Sequence, residues 1–139
     1  MKIKIFINIS KKNKIPFFYF EGYSEYEKRL SRFCKIETAY FKNITNIESH
    51  LKEGNKVFIV NKKTTTISST DFSEKLKDLS LKSNIYSNII FIITDLDIDI
   101  DGEDFTISKA PMSYEMTHLI LLEQIYRGYK ILNNENYHK

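Results

Sequence analysis

Residues 95–104 hold the densest group of side chains that could do chemistry in this sequence of 139 residues. Four of them match the first, third, fifth and sixth positions of an EF-hand loop, whose oxygens surround Ca²⁺ while the glycine turns the chain: Asp97, Asp99, Asp101 and Gly102. The last position, normally a bidentate glutamate, is Ser108, and a strand rather than a helix is expected before the loop. A solvated acidic loop is the favoured interpretation, and a small cation-binding module is an alternative.

The remaining sequence has no spacing typical of a metal or nucleophilic site. Cys34 is the only cysteine, which excludes an internal disulfide and a thiolate cluster; we expect it to be a small buried residue. His50 stands alone in a polar stretch, and His118 falls in a predicted helix, where packing is the expected role. There is no Ser-His-Asp set, phosphate-binding loop or zinc motif, and no metal is expected.

Alternating and continuous apolar runs predict the strands that must position any site. They are Lys2–Ile9, Lys35–Phe41, Lys56–Asn61, Asn88–Thr94 and a short Phe105–Ser108. The unbroken run in the fourth is typical of a central strand that is covered on both faces.

Apolar residues at helical spacing predict the helices between these strands. One follows Pro16, with its apolar stripe at Tyr19, Tyr23, Tyr26, Leu30 and Phe33. A short one is expected around Ile47–Leu51, and a third begins at a capping box formed by Asp71 and Glu74. The longest, Tyr114–Leu132, has a predicted stripe at Leu119, Leu122, Tyr126 and Tyr129, and Asn133 ends it.

Alternation of strands and helices predicts an α/β fold with a mostly parallel sheet flanked by helices, in a single domain over residues 1–139. No segment reaches the about 18 unbroken apolar residues that cross a membrane, and the first residues do not resemble a signal peptide. A cytoplasmic protein without a membrane partner is expected.

Charge is distributed unevenly along the chain. Residues 1–63 carry 14 Lys and Arg against 6 Asp and Glu, whereas residues 64–110 carry 4 against 9. A basic first half could contact a phosphate backbone, although a solvated surface explains the bias equally simply. The aromatic cluster Phe17–Tyr26 could likewise stack on RNA bases, but its helical spacing favours packing in the core.

Two polar motifs are similar to those of a known family. Glu123–Lys130 (EQIYRGYK), followed by Tyr137-His138-Lys139, resembles the RlmH signature of a helix with E-Q-x-Y-R and a tail ending Y-H-R/K. Glu25–Leu30 (EYEKRL) resembles the end of that family's first helix, and the order of strands and helices agrees. The chain is thus similar to the RlmH family of the SPOUT superfamily.

The resemblance implies a trefoil-knotted fold and a homodimer. It implies S-adenosylmethionine bound by loops of the knot, and methyl transfer to N3 of a pseudouridine in large-subunit ribosomal RNA on the assembled ribosome. It gives no role to a metal, to DNA or to a membrane.

Carried over by position, cofactor contacts fall in three places. They are Val60 at the end of the third strand, Asp95 in the loop after the fourth, and the segment Ser108, Lys109, Ala110, Pro111, Met112 and Ser113. Asp95 could accept a hydrogen bond from a ribose hydroxyl or the methionine amine.

The same resemblance assigns catalytic roles to His138, Tyr137 and Arg127. His138 would position or deprotonate the pseudouridine N3, since a neutral imidazole accepts a proton near pH 7. Tyr137 would stack or hydrogen-bond beside it. Arg127 would meet a phosphate or a carboxylate across the dimer; alternatively it forms a helix-surface ion pair with Glu123.

Several positions depart from the family pattern at the cofactor end. The family's Gly-Gly is Thr94-Asp95 here and a later Gly is Ile98, although glycine permits positive φ and close approach of a ligand. The family's Pro-His pair is Ser113-Tyr114, and a nearby Arg is His118. This pattern fits either a diverged enzyme or a catalytically inactive relative that binds RNA or the ribosome.

Overall fold

A computed structural model of the protein describes residues 1–9, 14–51, 54–82 and 85–134. Within these ranges the strands are β1 (Lys2–Ile7), β2 (Lys35–Tyr40), β3 (Asn55–Val60), β4 (Asn88–Ile93) and β5 (Glu103–Phe105). The helices are α1 (Phe17–Leu30), α2 (Ile44–Glu48), α3 (Ser69–Leu81) and α4 (Tyr114–Leu132). Their order is the predicted one. The predicted catalytic residues Tyr137 and His138 lie outside the described residues.

All five strands form one parallel sheet in the order β2-β1-β4-β3-β5. β4 lies at its centre, and Ile89–Ile93 are buried, as the continuous apolar run predicted. The predicted α/β fold with a mostly parallel sheet is confirmed, and every strand pairing described is parallel. The trefoil knot stays a prediction.

Helices cover the two faces of the sheet unequally. Residues of α1, α3 and α4 pack with Ile5, Phe58 and Phe91 into the larger core cluster. On the other face, Ile47 of α2 packs against Phe6, Val57, Ile90 and Ile92, and the side chains of Ala39, Phe41, Ile44, Leu51, Ile98 and Ile100 cover this smaller cluster.

Three predicted boundaries are wrong for reasons of tertiary contact. The last strand is Glu103–Phe105 rather than Phe105–Ser108, because these residues pair in register with the last residues of β3. The short helix is Ile44–Glu48, which lies about three residues earlier than predicted. Helix α3 begins at Ser69 and its N-cap is Ser68, whose hydroxyl accepts the Asp71 N–H at 3.1 Å, so no capping box starts at Asp71. Other strand boundaries differ by one or two residues.

The buried faces of the helices are only partly the predicted stripes. In α1, Tyr23 and Leu30 are buried, whereas Tyr19 and Tyr26 are partly buried. The buried residues of α4 are His118, Leu121, Leu122, Ile125, Gly128 and Tyr129, so the predicted Leu119 and Tyr126 lie at the edge of its buried face.

Close packing of α3 against α4 depends on a glycine. A Cβ atom at Gly128 would lie 2.7 Å from Leu76 Cδ1, a distance that real Cβ atoms essentially never show. The two helices therefore contact each other at a position of α4 that has room for no side chain larger than the hydrogen of glycine. This contact fixes α4, whose first turn borders the cleft described below.

Among the described residues, no helix is both long enough and apolar enough to cross a membrane.

Candidate active site

An open cleft lies at the carboxyl edge of the sheet, where β3 and β4 end. It is lined by residues that follow β3, by residues at the end of β4 and by residues of the segment that leads into α4. In parallel α/β sheets, ligands bind beyond the carboxyl ends of the strands, where loops from neighbouring strands meet. The location is therefore that of a binding site.

Four predicted cofactor contacts line this cleft. They are Val60 from the end of β3, Asp95 from the loop after β4, and Ser108 and Met112 from the segment before α4. These residues come from three separate parts of the chain, and the topology of the sheet brings them together. In the sequence analysis, only the resemblance to the family predicted that these residues belong to one site.

Four other predicted contacts flank the cleft without lining it. Lys109 donates from Nζ to the Lys62 carbonyl at 3.0 Å, and the Ala110 N–H donates to Ser108 Oγ at 3.1 Å. Pro111 is exposed. Ser113 is the N-cap of α4, because its hydroxyl accepts the Met116 N–H at 3.3 Å.

Six lining residues were missed by the sequence analysis. They are Asn61, Lys62, Ile93, Ile107, Tyr114 and Thr117. The available signal was position, since each lies within three residues of a predicted contact or in the first turn of the last helix. Together with Val60 and Met112, the two isoleucines make part of the cleft apolar, whereas Asp95, Asn61 and Thr117 supply polar groups.

The loop after β4 accommodates its departures from glycine. Thr94 is 1% exposed and does not line the cleft; its Oγ1 accepts the Leu96 N–H at 3.2 Å and lies 3.2 Å from the Asn8 side-chain amide. Among the described residues, positive φ occurs only at Gly54 and Asn134. The loop therefore needs no glycine to keep its backbone conformation in this chain.

Tyr114 braces the same loop from the start of α4. The Asp95 N–H donates to the Tyr114 hydroxyl oxygen at 2.8 Å, which joins the end of β4 to the first turn of α4 across the cleft. The two departures from the family pattern, at Asp95 and at Tyr114, are thus partners in one contact.

Lysines stand beside the cleft. Lys62 lines it, and Lys63 donates to Asp97 at 2.9 Å. This hydrogen bond raises the pKa of Lys63 and lowers that of the Asp97 carboxyl. Both side chains of the pair are more than half exposed, so the contact adds little stability.

The alternation of aspartate and isoleucine in the acidic loop follows from how the loop lies against the sheet. Asp97, Asp99 and Asp101 are exposed, whereas Ile98 and Ile100 between them pack on the smaller core cluster. Across the described part of the chain, no group of three or more His, Cys, Asp or Glu side chains is placed to hold a metal. The EF-hand-like pattern is therefore the alternation of an apolar cover with solvated carboxylates.

Arg127 lies far from the cleft within one chain. It is ten residues beyond Thr117 on α4, a rise of about 15 Å. Its guanidinium donates to Glu123 Oε1 at 2.6 Å and to Ser69 Oγ at 3.2 Å. The ion pair with Glu123 exists, but it is mostly buried, with 17% and 18% of the two side chains exposed, rather than on the surface.

His118 is packed rather than poised for chemistry. It is 1% exposed, and its ring lies 4.0 Å from the Tyr23 ring between centroids. Within the described ranges, neither ring nitrogen has a hydrogen-bond partner. Burial lowers the pKa of His118 to about 3, so its imidazole is neutral at physiological pH.

Comparison with known proteins agrees with the fold. The family described as predicted SPOUT methyltransferase matches residues 1–138, and the chain belongs to this family. The resemblance seen in the sequence motifs is confirmed.

Similar proteins carry a more specific name. Ribosomal RNA large subunit methyltransferase H 1 of Thermoanaerobacter sp. (strain X514) is 38% identical over 128 residues, which cover 91% of this chain and 93% of the relative. Ribosomal RNA large subunit methyltransferase H of Thermotoga maritima is 32% identical, covering 95% and 98%. The protein of that name from Acetivibrio thermocellus is 33% identical, covering 86% and 89%.

Proposed function

We propose that this protein is an S-adenosylmethionine-dependent methyltransferase that acts on N3 of a pseudouridine in large-subunit ribosomal RNA. The observation that carries the proposal is the convergence of Val60, Asp95, Ser108 and Met112 on one cleft of a chain that belongs to a methyltransferase family. Relatives that match over most of their length are named for methylation of large-subunit ribosomal RNA. Action on the ribosome would place the protein in the cytoplasm.

The side chains that line the cleft fit the cofactor's chemistry. Val60, Ile107 and Met112 offer apolar surface for the adenine, while the backbone of Ser108–Ser113 offers hydrogen-bonding groups beside it. The first turn of α4 presents the positive end of the helix dipole, which favours a carboxylate such as that of the methionine portion. Asp95 would accept a hydrogen bond from the amine or a ribose hydroxyl. S-adenosylmethionine, when bound, supplies an electrophilic methyl group.

The protein's own part in the reaction is positioning and removal of a proton. His138 would accept the N3 proton of the pseudouridine, with Tyr137 beside it, and no covalent intermediate or metal is required. Arg127, which pairs with Glu123 within the chain, would meet a phosphate of the RNA or a carboxylate of the second subunit across the proposed homodimer.

Isothermal titration calorimetry with S-adenosylmethionine tests the cleft directly. We expect saturable binding at micromolar concentration, weakened about tenfold or more by Asp95→Ala, because a hydrogen bond to a charged group contributes about 1.5–3 kcal/mol. Asp97→Ala is the matched control, since this aspartate is on the same loop but does not line the cleft. Absence of binding at millimolar cofactor by the folded protein would refute the proposal.

Transfer of a labelled methyl group to assembled ribosomes then tests the substrate. The expected product is methylpseudouridine in one fragment of the RNA, and His138→Ala should abolish it while leaving cofactor binding intact. Cofactor binding without any methylated fragment would leave a methyltransferase-like protein with another substrate, and no binding at all would favour a catalytically inactive relative.

A further inference from the structure

Two phenylalanines at the start of α1 are exposed. Phe17 is 75% exposed and Phe18 is 64% exposed. Packing in the core was expected for this whole aromatic cluster, and the structure shows it for Tyr23, which is 4% exposed. A buried Phe side chain typically contributes about 1.5–3 kcal/mol, and these two, which are mostly exposed, contribute only a minor part of that to the fold. Their aromatic faces are available to a partner.

The position of this pair follows from how α1 lies against α4. Tyr23 Oη donates to the Glu115 carbonyl at 2.8 Å, and the Tyr26 and Tyr126 rings meet further along, so the helices run in the same direction. Phe18 precedes Tyr23 by five residues, a rise of about 8 Å. Since α4 begins at Tyr114, the pair lies beside the start of α4, at the edge of the sheet where the cleft opens.

The charge around the pair suits a polyanion. The first turn of α1 has no acidic residue. Lys14, described and exposed, precedes the pair by three residues. Phosphate backbones attract such segments without regard to base sequence.

We propose that Phe17 and Phe18 form a stacking surface for unpaired RNA bases next to the target nucleotide. This inference rests on the proposed function, because it takes RNA as the substrate. Unpaired bases are the usual targets of RNA-binding proteins and stack on exposed aromatic rings, and every base has a face that can stack. The Phe18 and Tyr19 rings are 4.5 Å apart between centroids and tilted by 33°, so Tyr19 extends the aromatic surface along α1. A second copy of the chain is the competing occupant.

Fluorescence anisotropy with a short labelled single-stranded RNA, at fixed salt, measures the contribution of the pair. The double variant Phe17→Ala/Phe18→Ala should bind at least about fivefold more weakly, as expected for the loss of one stacked base. Phe17→Tyr/Phe18→Tyr keeps both aromatic faces and should bind like the wild type. Leu81→Ala is the control for removal of an exposed apolar side chain, because Leu81 is 75% exposed at the end of α3, at the opposite edge of the sheet.

The outcomes separate this surface from the proposed function. Unchanged RNA affinity in the alanine variant, or no measurable affinity in the wild type, overturns the stacking surface even if the protein methylates ribosomes. RNA binding that depends on the pair supports the surface even if no cofactor binds. A shift of the alanine variant to a smaller species in analytical ultracentrifugation, with RNA affinity unchanged, would assign the surface to a second copy instead.

Discussion

Replacing His118 by leucine should stabilise the protein more at pH 5 than at pH 8. The native state holds this histidine neutral because burial lowers its pKa to about 3. In the unfolded chain its pKa returns to about 6.5. Between these values only the unfolded state binds the proton, so His118 makes stability fall as the pH is lowered through 6.5.

The size of the effect follows from the two pKa values. At pH 5 the unfolded histidine is 1.5 pH units below its pKa, and at about 1.36 kcal/mol per unit the native state loses about 2 kcal/mol relative to pH 8. Leucine cannot take up a proton, so the gap in unfolding free energy between His118→Leu and the wild type should widen by about that amount. At pH 8 the gap should be small, since the variant loses the contact with the Tyr23 ring but no longer buries two unpartnered nitrogens.

Urea denaturation followed by circular dichroism, at both pH values and one protein concentration, gives the comparison. Effects shared by the other ionisable groups cancel between wild type and variant. His50→Leu is the control, because it makes the same replacement at an exposed histidine. An equal gap at pH 8 and pH 5 would refute the reasoning, since it would mean that the native state binds the His118 proton as readily as the unfolded chain does.

Three further changes test the packing and the cleft. Gly128→Ala should destabilise the protein by about 1–2 kcal/mol in urea denaturation, because its Cβ would meet Leu76 Cδ1 at 2.7 Å. Leu76→Ala should lower the free energy of unfolding less in the Gly128→Ala variant than in the wild type. Equal losses in the two backgrounds would contradict this. Tyr114→Phe removes the acceptor of the Asp95 N–H and should weaken S-adenosylmethionine about threefold to tenfold in calorimetry, whereas tighter binding would mean that the tyrosine competes with the cofactor. Ser113→Ala should lower the midpoint of thermal unfolding through loss of about 1 kcal/mol of capping while leaving cofactor affinity unchanged, and an affinity loss would assign its hydroxyl to the cofactor.

Local pattern was sufficient for most of the fold. The bounds of the last helix, Tyr114–Leu132, were predicted without error, because its apolar periodicity is long and asparagines follow it. The apolar run of β4 predicted a central parallel strand for the same reason. The bounds of the short elements were predicted less accurately. Glu103–Phe105 has too few residues to show a period, and only its pairing with β3 defines it as a strand.

The candidate site likewise has features that the sequence predicts and features that only the tertiary structure shows. The polar signature Glu123–Lys130 predicted the family, because several identities at fixed spacing carry information that survives without a structure. The role of the Thr94 side chain could not be predicted, since its partner Asn8 is 86 residues away in the sequence and follows the neighbouring strand. The contact between Asp95 and Tyr114 likewise joins residues that only the fold brings together.

The sequence by itself determined the class of fold, the order of its elements and the family, because period and spacing are properties of neighbours along the chain. Tertiary structure decided which members of a repeating pattern are buried. Tyr23 packs against α4 while Phe17 and Phe18 of the same helix are exposed, and the isoleucines of the acidic loop cover the sheet while its aspartates face water. The physical reason is that burial depends on which distant surface an element meets, and that surface is formed by the rest of the fold.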